Sequence, residues 1–356
     1  MATNMTTVKK LLALLLSLMM ALSCAMPALA DEGEGFTFTD SLGRTFTFDE
    51  PITRIAVTAP LSQIVVFAIA PDLLVGVAEP WDDGAIRFLD EEYYSIPVLG
   101  QLYGGRGGFS LEELLNCDPQ VVIDVGEPSE GLGADLDNLT EQTGIPFIHV
   151  TATIDSMDAC YTMLGSLLGR EEQGALLGDY CVSVYNRSAA IAQSSDKPSV
   201  LYVLGDRGLN VLAKGSYHST VLDMMTDNAA VVDNPVSKGT GNEVDMEQML
   251  IWNPDVIIFA QGSIYDTVGD DPLWQGVSAI ANGRYYEAPV GPYNWMGYPP
   301  SVQRLLGMMW MTKLLYPNQA DYDLYEETAK YFELFYHCEL TPEQYDALMQ
   351  RALPRE

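Results

Sequence analysis

The fold is decided by the sequence LEELLNCDPQVVI at residues 111–123 and by its near-repeat MEQMLIWNPDVII at residues 246–258. Each copy predicts a short amphipathic helix, a turn that contains proline, and a buried strand. The helix should end before the proline, because a residue that precedes proline is pushed out of the α region. The apolar run at residues 121–123 has too few polar residues for a half-exposed strand, which indicates a parallel sheet buried on both faces. The duplication therefore predicts two similar α/β lobes.

Length, composition and charge restrict the class of protein. A chain of 356 residues fits two domains of roughly 150 residues each. A hydrophobic content of 48% and a charged content of 19% are typical of a globular chain. The formal net charge of −31 argues against a nucleic-acid partner, because neutralising phosphates requires clustered Lys and Arg. These values predict a globular protein that binds no nucleic acid.

The N-terminus has the pattern of an export signal. Two lysines precede an apolar run over residues 11–25, and the sequence ALA at residues 28–30 fits a cleavage site between small residues. We therefore expect a signal peptide over residues 1–30 and a location in the periplasm or on the outer face of the cell membrane. The sequence ALSC at residues 21–24 also resembles a lipoprotein signal, so a lipid anchor at Cys24 is an alternative.

Four cysteines remain after cleavage at residue 30, and export would permit disulfides between them. Their spacing is wide and no C-x-x-C pair occurs, so a cysteine metal site is not expected. Buried free thiols are the favoured interpretation, and the disulfide state is left open for Cys117, Cys160, Cys181 and Cys338.

Strand and helix patterns alternate along most of the mature chain. A β-hairpin is predicted over residues 36–48, and further strands over residues 54–57, 74–77, 96–99, 121–123, 146–150, 199–204, 229–232, 256–258 and 284–288. Near the C-terminus, the pattern predicts a helix over residues 299–315 and two more between residues 321 and 351, the second capped by Thr341.

Residues 154–194 interrupt this alternation with helical spacing and no proline, which predicts a short helix over 156–168 and a longer one over 171–192. We expect a first lobe at residues 31–165, a connecting helix at 166–195, and a second lobe with terminal helices at 196–356. The predicted fold class is α/β, with two Rossmann-like lobes, parallel central sheets, a single long helix that joins them, and a ligand cleft between the lobes.

Several motifs follow one another along nearly the whole mature chain. They are DSLGR at residues 40–44, RIAV at 54–57 with Pro60, the two repeats, GRYY at 283–286, PPS at 299–301 through Gly307, and LYP at 315–317. In this order they resemble the substrate-binding proteins of ABC importers, in the group with one long helix between lobes that handles ferric siderophores, haem and cobalamin. The resemblance implies a monomer, without enzymatic activity or cofactor, that delivers a metal chelate to a permease dimer with its ATPase.

The ligand class has an alternative within the same family. Some relatives with similar Asn-Trp and Pro-Pro-Ser segments bind oxyanions such as molybdate or tungstate, and an acidic-basic pair tends to precede their prolines. The corresponding residues here are Gly297 and Tyr298. The missing guanidinium group argues against an oxyanion, because a bidentate donor is absent from these positions. A bulky iron or corrinoid complex is therefore the first expectation.

The candidate ligand site lies in the loops after the core strands, because ligands of α/β sheets bind outside the carboxyl ends of strands. Aromatic faces suit planar or apolar chelates, and an arginine can pair with a carboxylate or phosphate. His218 is either a ligand of a metal centre in the bound chelate or a helix-start histidine bonded to backbone. No metal site of the protein's own is expected. The candidate ligand-binding residues are Pro60, Trp81, Tyr103, Arg106, Arg207, Tyr217, His218, Asn294, Trp295 and Tyr298.

Other functions fit the residues less well. The glycine-rich segment at residues 104–108 lacks the Lys-Ser/Thr of a phosphate-binding loop, so it predicts a turn that presents Tyr103 and Arg106. The three histidines are scattered, and no Ser-His-Asp group can be placed. A chelatase-like enzyme can share a two-lobe α/β form, but such enzymes usually work inside the cell. An adhesive surface protein would not need aromatic residues in a cleft.

Glu112 and Glu247 occupy the same position in the two repeats. The resemblance implies that this pair docks onto arginines of the permease, one glutamate for each lobe. A carboxylate in the first turn of a helix is favoured by the helix dipole and stays ionised. The alternatives are that each glutamate caps its own helix, or that Glu113 and Glu112 together form a solvated acidic face.

Overall fold

The computed structural model describes residues 35–103 and 108–354. The expected signal peptide, Cys24 and Arg106 therefore lie outside the described residues. The predicted hairpin is confirmed, and it consists of β1 (Phe36–Thr39) and β2 (Thr45–Phe48). Within it, the rings of Phe36 and Phe48 stack with their centroids 5.2 Å apart.

The first large sheet has four parallel strands in the order β4-β3-β5-β6. The strands are β3 (Ile55–Val57), β4 (Leu74–Gly76), β5 (Val121–Gly126) and β6 (Phe147–Thr151). β5 is central, with Ile55 opposite Val121 on one side and Val122 opposite Phe147 on the other. Its residues from Val121 to Val125 are buried, as the apolar run predicts. The strand predicted at 96–99 is reduced to one bridge between Val77 and Val98.

The helices of this half follow the local signals of the sequence. They are α1 (Pro60–Ile69), α2 (Asp83–Ile86), α3 (Leu111–Cys117) and α4 (Leu132–Thr143). Pro60 occupies the first turn of α1, where its missing N–H has no intrahelical partner to lose. α3 ends at Asp118, which has a positive φ of 48° directly before Pro119.

Two helices, α5 (Met157–Leu168) and α6 (Glu171–Ser194), lie in the chain between the two large sheets. Their boundaries confirm the predicted pair. Gly169 separates them in a left-handed conformation, with φ 63°. That α6 alone joins two lobes stays a prediction, as do the lobe boundaries. Among the described residues, none of the helices is both long and apolar enough to span a bilayer.

The second large sheet is mixed. Its order is β10-β8-β7-β11-β12, and β9 also pairs with β7. The strands are β7 (Ser199–Leu204), β8 (Asn210–Val211), β9 (Asp227–Asn228), β10 (Asn242–Glu243), β11 (Val256–Phe259) and β12 (Tyr285–Glu287). β7, β11 and β12 are parallel as predicted, whereas β8 and β10 are antiparallel. β9 is also parallel, but it lies at Asp227–Asn228 and not at the predicted residues 229–232. The five residues between β7 and β8 allow only a tight turn, so β8 must run back along β7.

Short helices connect these strands, and three longer ones close the chain. They are α7 (Thr220–Met225), α8 (Met246–Trp252), α9 (Tyr265–Val268), α10 (Ser278–Ala281), α11 (Arg304–Leu315), α12 (Leu324–Tyr336) and α13 (Pro342–Met349). α11 begins later than predicted, because Pro299 precedes another proline and is disfavoured in the α region. The predicted cap at Thr341 is confirmed as a capping box with Gln344.

All four cysteines expected in the mature chain are free thiols in the structure. Cys117, Cys160 and Cys181 are buried, and Cys338 is half-buried. Burial raises the pKa of the Cys160 thiol and of the Cys181 thiol, so both stay protonated near neutral pH. This result agrees with the favoured interpretation of the sequence.

Candidate functional site

A small cavity lies where three parallel strands of the first sheet end. Leu61 follows β3, Glu127 follows β5, and Thr153 follows β6, and all three line this cavity. Tyr217, Ser301 and Arg304 come from the second half of the chain and complete the lining. We call this site the Arg304 crevice, and its full lining is Leu61, Val65, Glu127, Ala152, Thr153, Ile154, Met157, Tyr217, Pro300, Ser301 and Arg304. Its volume is ≈ 20 Å³, about enough for a water molecule.

Arg304 is the chemically distinctive residue of the crevice. It is the first residue of α11 and only 5% exposed. Its Nη2 atom donates a hydrogen bond of 3.2 Å to the backbone oxygen of Tyr217, and its guanidinium carbon lies 5.2 Å from the centre of the Tyr217 ring. Its Nε atom has no hydrogen-bond partner among the described residues. A buried guanidinium group thus keeps a donor available to a ligand.

Gly297 provides the space for this guanidinium group. A Cβ atom at position 297 would lie only 2.7 Å from Arg304 Nε. The backbone of Gly297 also has a φ of +110°, which side chains rarely tolerate. Positions 297 and 298 themselves carry no guanidinium group, as the sequence indicates, but Arg304, seven positions after Gly297, places one beside Gly297.

The crevice contains both signs of charge. Burial lowers the pKa of Arg304, and the negative charge of Glu127 partly offsets this effect. An arginine nevertheless stays protonated in proteins. In the part of the chain that the structure describes, no carboxylate lies within ion-pair distance (4.0 Å) of Arg304. The positive charge is therefore balanced only at longer range.

A stack of aromatic rings adjoins the crevice. The rings of His218 and Tyr298 are stacked with centroids 5.0 Å apart, and Tyr298 stacks on Tyr202 at 6.5 Å. His218 Nδ1 lies 3.3 Å from the backbone oxygen of Gly297 and donates to it in the matching tautomer. Burial lowers the pKa of His218, so its ring is neutral at pH 7. Its Nε2 atom is then an acceptor.

Four of the ten buried side-chain atoms that have no hydrogen-bond partner among the described residues lie in or beside the segments that form this site. Besides Arg304 Nε, the atoms Ser216 Oγ, Tyr298 OH and Gln303 Oε1 are buried and have no hydrogen-bond partner among the described residues. Buried polar groups normally have a partner, so such atoms point to water or a ligand that the protein alone does not supply.

Some of the predicted ligand-binding residues lie at or beside the crevice. Tyr217 lines it directly, and Pro60 immediately precedes the lining residue Leu61. His218 and Tyr298 form the adjoining stack. Asn294 does not line the crevice, but its amide nitrogen lies 3.4 Å from the hydroxyl of Tyr202, a member of the adjoining stack.

The predicted tryptophans belong to the core instead. Trp295 is completely buried, and its indole N–H donates to the backbone oxygen of Gly291 at 3.0 Å. Trp81 is also buried, and its indole N–H donates to the backbone oxygen of Tyr93 at 2.8 Å. Both donors are therefore already used, and neither residue lines the crevice.

The remaining predicted residues lie on the surface or outside the described residues. Arg207 is exposed and forms an ion pair of 2.7 Å with Glu243. Tyr103 is exposed and directly precedes residues 104–107, the segment with Arg106 that lies outside the described ranges. Neither Arg207 nor Tyr103 lines the Arg304 crevice.

Sequence reasoning missed Arg304 and Glu127. The available signal for Arg304 was a lone charge at the start of the otherwise apolar segment 302–312. The signal for Glu127 was its position directly after the central strand β5. His149 lies in the core, where its Nδ1 atom is 2.7 Å from Asp124 Oδ2.

A larger cavity, of ≈ 310 Å³, lies beside α13 and the end of β12. Its lining includes Arg351, but this guanidinium group already pairs with Asp266 at 2.9 Å and with Glu287 at 3.4 Å. Size alone would favour this cavity over the Arg304 crevice, and would favour still more a cavity of ≈ 840 Å³ beside Tyr325 and His337. The buried Arg304, which has no ion pair and an unpartnered Nε atom among the described residues, instead favours the Arg304 crevice as the candidate ligand site.

Comparison with known proteins gives the family. The family model described as periplasmic binding protein matches residues 82–290. The molybdate-binding protein MolA of Haemophilus influenzae is 25% identical over 367 residues, which cover 94% of this chain and 99% of the relative. The Fe(3+)-citrate-binding protein YfmC of Bacillus subtilis is 23% identical over 189 residues, which cover 52% of this chain and 58% of the relative.

Solved structures agree in fold. An ABC transporter solute binding protein from Sulfurospirillum deleyianum superposes with a TM-score of 0.76 and 27% identity, covering 88% of this chain and 99% of the other. The two-lobe α/β architecture expected from the sequence is therefore confirmed.

Proposed function

This chain belongs to the periplasmic binding protein family, and we propose that it captures an anionic, oxygen-rich metal species in the Arg304 crevice. It is a substrate-binding protein of an ABC transporter, as its relatives are, and this family is not enzymatic. The observation that carries the proposal is the buried Arg304, whose Nε atom is unpartnered among the described residues. A cation in a site of low dielectric attracts an anion more strongly than one in water.

The first candidate ligand is a metal chelate that carries carboxylates or similar groups. One relative is named for binding Fe(3+)-citrate. Among the chelates expected from the sequence, an arginine favours anionic ferric siderophores over uncharged corrinoids, because guanidinium pairs with carboxylate oxygens. The crevice would have to widen around Leu61 and Tyr217 to accept such a ligand, since its volume is ≈ 20 Å³.

The second candidate is a small oxyanion such as molybdate or tungstate. The relative that covers most of this chain is named for binding molybdate. Two observations favour this candidate: the guanidinium group of Arg304, which lies beside Gly297 although positions 297 and 298 carry none, and the small volume of the crevice. Both candidates present negatively charged oxygens attached to or surrounding a metal, so Arg304 would make the same contact with either.

Calorimetric titration of the purified mature chain would test this proposal. The titrants are sodium molybdate, sodium tungstate, sodium sulfate, ferric citrate, haem and cyanocobalamin. We expect saturable binding of ferric citrate or of molybdate and tungstate, and binding at least about tenfold weaker in Arg304→Gln. The matched control is Arg207→Gln, because Arg207 is exposed and outside the crevice. Equal binding by both variants would refute the assignment of the site.

The proposed partner of the loaded protein is a membrane permease with its ATPase. We infer that Glu112 and Glu247 dock onto this permease, with the protein acting as a monomer. Both glutamates are exposed in the first turn of their helices, α3 and α8. Neither serves as the N-cap, because Ser110 and Asp245 fill that role. Their carboxylates are therefore free to meet another surface.

The protein works outside the cytoplasm, as its periplasmic relatives do. We propose that residues 1–30 direct export as a signal peptide, with lipid attachment at Cys24 as the alternative. Mass spectrometry of the protein from its native cells would distinguish a chain that starts at Asp31 from a lipid-modified chain that starts at Cys24.

A further inference from the structure

The repeated sequence forms the same local structure twice. α3 and α8 each have seven residues and a side-chain N-cap, from Ser110 and from Asp245. Each helix ends at a residue in the left-handed conformation, Asp118 with φ 48° and Asn253 with φ 40°. Each then leads through a proline turn into a central strand, β5 or β11. Residues at equivalent positions of the two copies therefore have equivalent places in the local structure.

Equivalent positions of the two helices expose a leucine. Leu115 is 53% exposed, and its counterpart Leu250 is 43% exposed. The preceding positions, Leu114 and Met249, are completely buried. A single exposed leucine needs no explanation, since much of any protein surface is apolar. An exposed leucine at the same position of both copies is more informative, because neither leucine is needed to fill the core of the fold.

Each exposed leucine shares a helix face with one of the exposed glutamates. Leu115 follows Glu112 by three positions, and Leu250 follows Glu247 by three, so each pair lies side by side on its helix. The second copy adds Ile251, which is 68% exposed. We call Glu112 with Leu115 the first contact patch, and Glu247 with Leu250 and Ile251 the second contact patch.

We propose that Leu115 and Leu250 are the apolar anchors of the permease contact inferred above for Glu112 and Glu247. This inference rests on the proposed function, since it assumes an ABC permease as the partner. Each half of that permease would offer a shallow apolar depression bordered by basic side chains. The leucine would be buried in the centre of the contact. The glutamate would fix how the two surfaces align and would speed the association of the protein with the permease.

Duplication and charge favour the permease over a second copy of this chain. Two similar patches on one chain match a partner built from two similar halves. Both patches carry carboxylates, and the chain has a formal net charge of −31, so contact between two copies would bring like charges together. Ile251 replaces the polar Asn116 of the first copy, so the second patch is more apolar and should contribute more to binding.

Biolayer interferometry would test this inference. It would measure how tightly the mature chain binds the detergent-solubilised permease–ATPase complex. Leu115→Ser and Leu250→Ser should each weaken this binding by about five- to tenfold, and Ile251→Ser should add a further loss. Leu115→Met and Leu250→Met should retain most of the binding. The matched control is Leu176→Ser, because Leu176 is 48% exposed on α6 and belongs to neither patch. We expect it to bind the transporter like the wild type.

As controls, the same variants should bind sodium molybdate or ferric citrate with the affinity of the wild type. They should also unfold at the same temperature as the wild type. Unchanged transporter affinity in Leu115→Ser and Leu250→Ser would overturn the inference. So would sedimentation showing a wild-type dimer that these substitutions dissociate, because the patches would then join two copies. A wild type that binds a ligand but no permease would also overturn it. By contrast, absence of any ligand binding in the wild type would count against the proposed function itself.

Discussion

Gly297 leaves open the space that the guanidinium group of Arg304 occupies. A Cβ atom at position 297 would lie 2.7 Å from Arg304 Nε, and the backbone there has a φ of +110°. The backbone oxygen of Gly297 also lies 3.3 Å from His218 Nδ1. The position of the buried cation therefore depends on a residue that contributes no side chain.

Gly297→Ala should weaken ligand binding more than it weakens the fold. The new methyl group would displace the guanidinium group, and the positive φ would add strain of roughly 1 kcal/mol. Gly262→Ala is a control for strain alone, because Gly262 has φ +77° and no atom of the described residues lies within 4 Å of the place that its Cβ would take. Calorimetry should show at least about tenfold weaker binding of molybdate or ferric citrate for Gly297→Ala only. Equal losses in both variants would contradict this prediction.

Glu127→Gln should strengthen the binding of an anion. Glu127 lines the crevice and its charge raises the pKa of Arg304, so it competes with an anionic ligand for the guanidinium group. Because Glu127 is solvent-exposed, screening limits the gain to about threefold in Kd. Glu130→Gln is the control, since Glu130 is exposed in the same loop but outside the crevice. Weaker binding by Glu127→Gln would instead indicate that the carboxylate contacts the ligand directly.

His218 should make the folded state less stable as the pH falls from about 7 to about 5. Burial lowers its pKa below the ordinary value of about 6.5. In this range the unfolded chain binds more protons than the folded chain, so the free energy of unfolding decreases with decreasing pH. His218→Asn keeps a donor for Gly297 and removes the titration. Urea unfolding at both pH values should show a smaller difference for this variant, and an unchanged difference would exclude His218 as a contributor.

The sequence predicted the central strands well because their signals are local. An apolar run after a proline turn identifies β5 and β11 without knowledge of the rest of the chain. The two-residue strands β8 and β10 have no such signal, because an alternating pattern needs more residues than they contain. The antiparallel pairing of β8 with β7 follows from the short turn between them.

The ligand site was harder to predict because it is assembled from distant segments. Tyr217, which lines the candidate crevice, could be proposed from the sequence because aromatic residues in loops after strands are typical of ligand sites. Arg304 was missed because its position depends on Gly297 and on the delayed start of α11. Trp295 was assigned to the site for its residue type, although the tight packing of Gly307 against its backbone places it in the core.

Two helical glycines should respond in opposite ways to alanine. A methyl group at Gly174 would overlap with the backbone oxygen of Tyr161 where α6 packs on α5, so Gly174→Ala should destabilise the fold by about 1–3 kcal/mol. Gly133, near the start of α4, has only Leu42 Cδ1 at 3.7 Å, so Gly133→Ala should be neutral or stabilising by up to about 1 kcal/mol. Urea unfolding measures both. A stable Gly174→Ala variant would mean that α5 and α6 can separate at little cost.

Charge reversal at Glu112 and Glu247 should separate transport from ligand capture. Both carboxylates are exposed and neither lines the Arg304 crevice, so Glu112→Arg with Glu247→Arg should leave ligand affinity unchanged. Reversed charges would repel the basic permease surface, so the double variant should lose uptake and ATPase stimulation in proteoliposomes. Glu113→Arg is the control, because Glu113 is exposed beside Glu112 but its equivalent in the second repeat is Gln248. Normal uptake by the double variant would exclude docking through this pair, whereas lost ligand binding would indicate a role in folding.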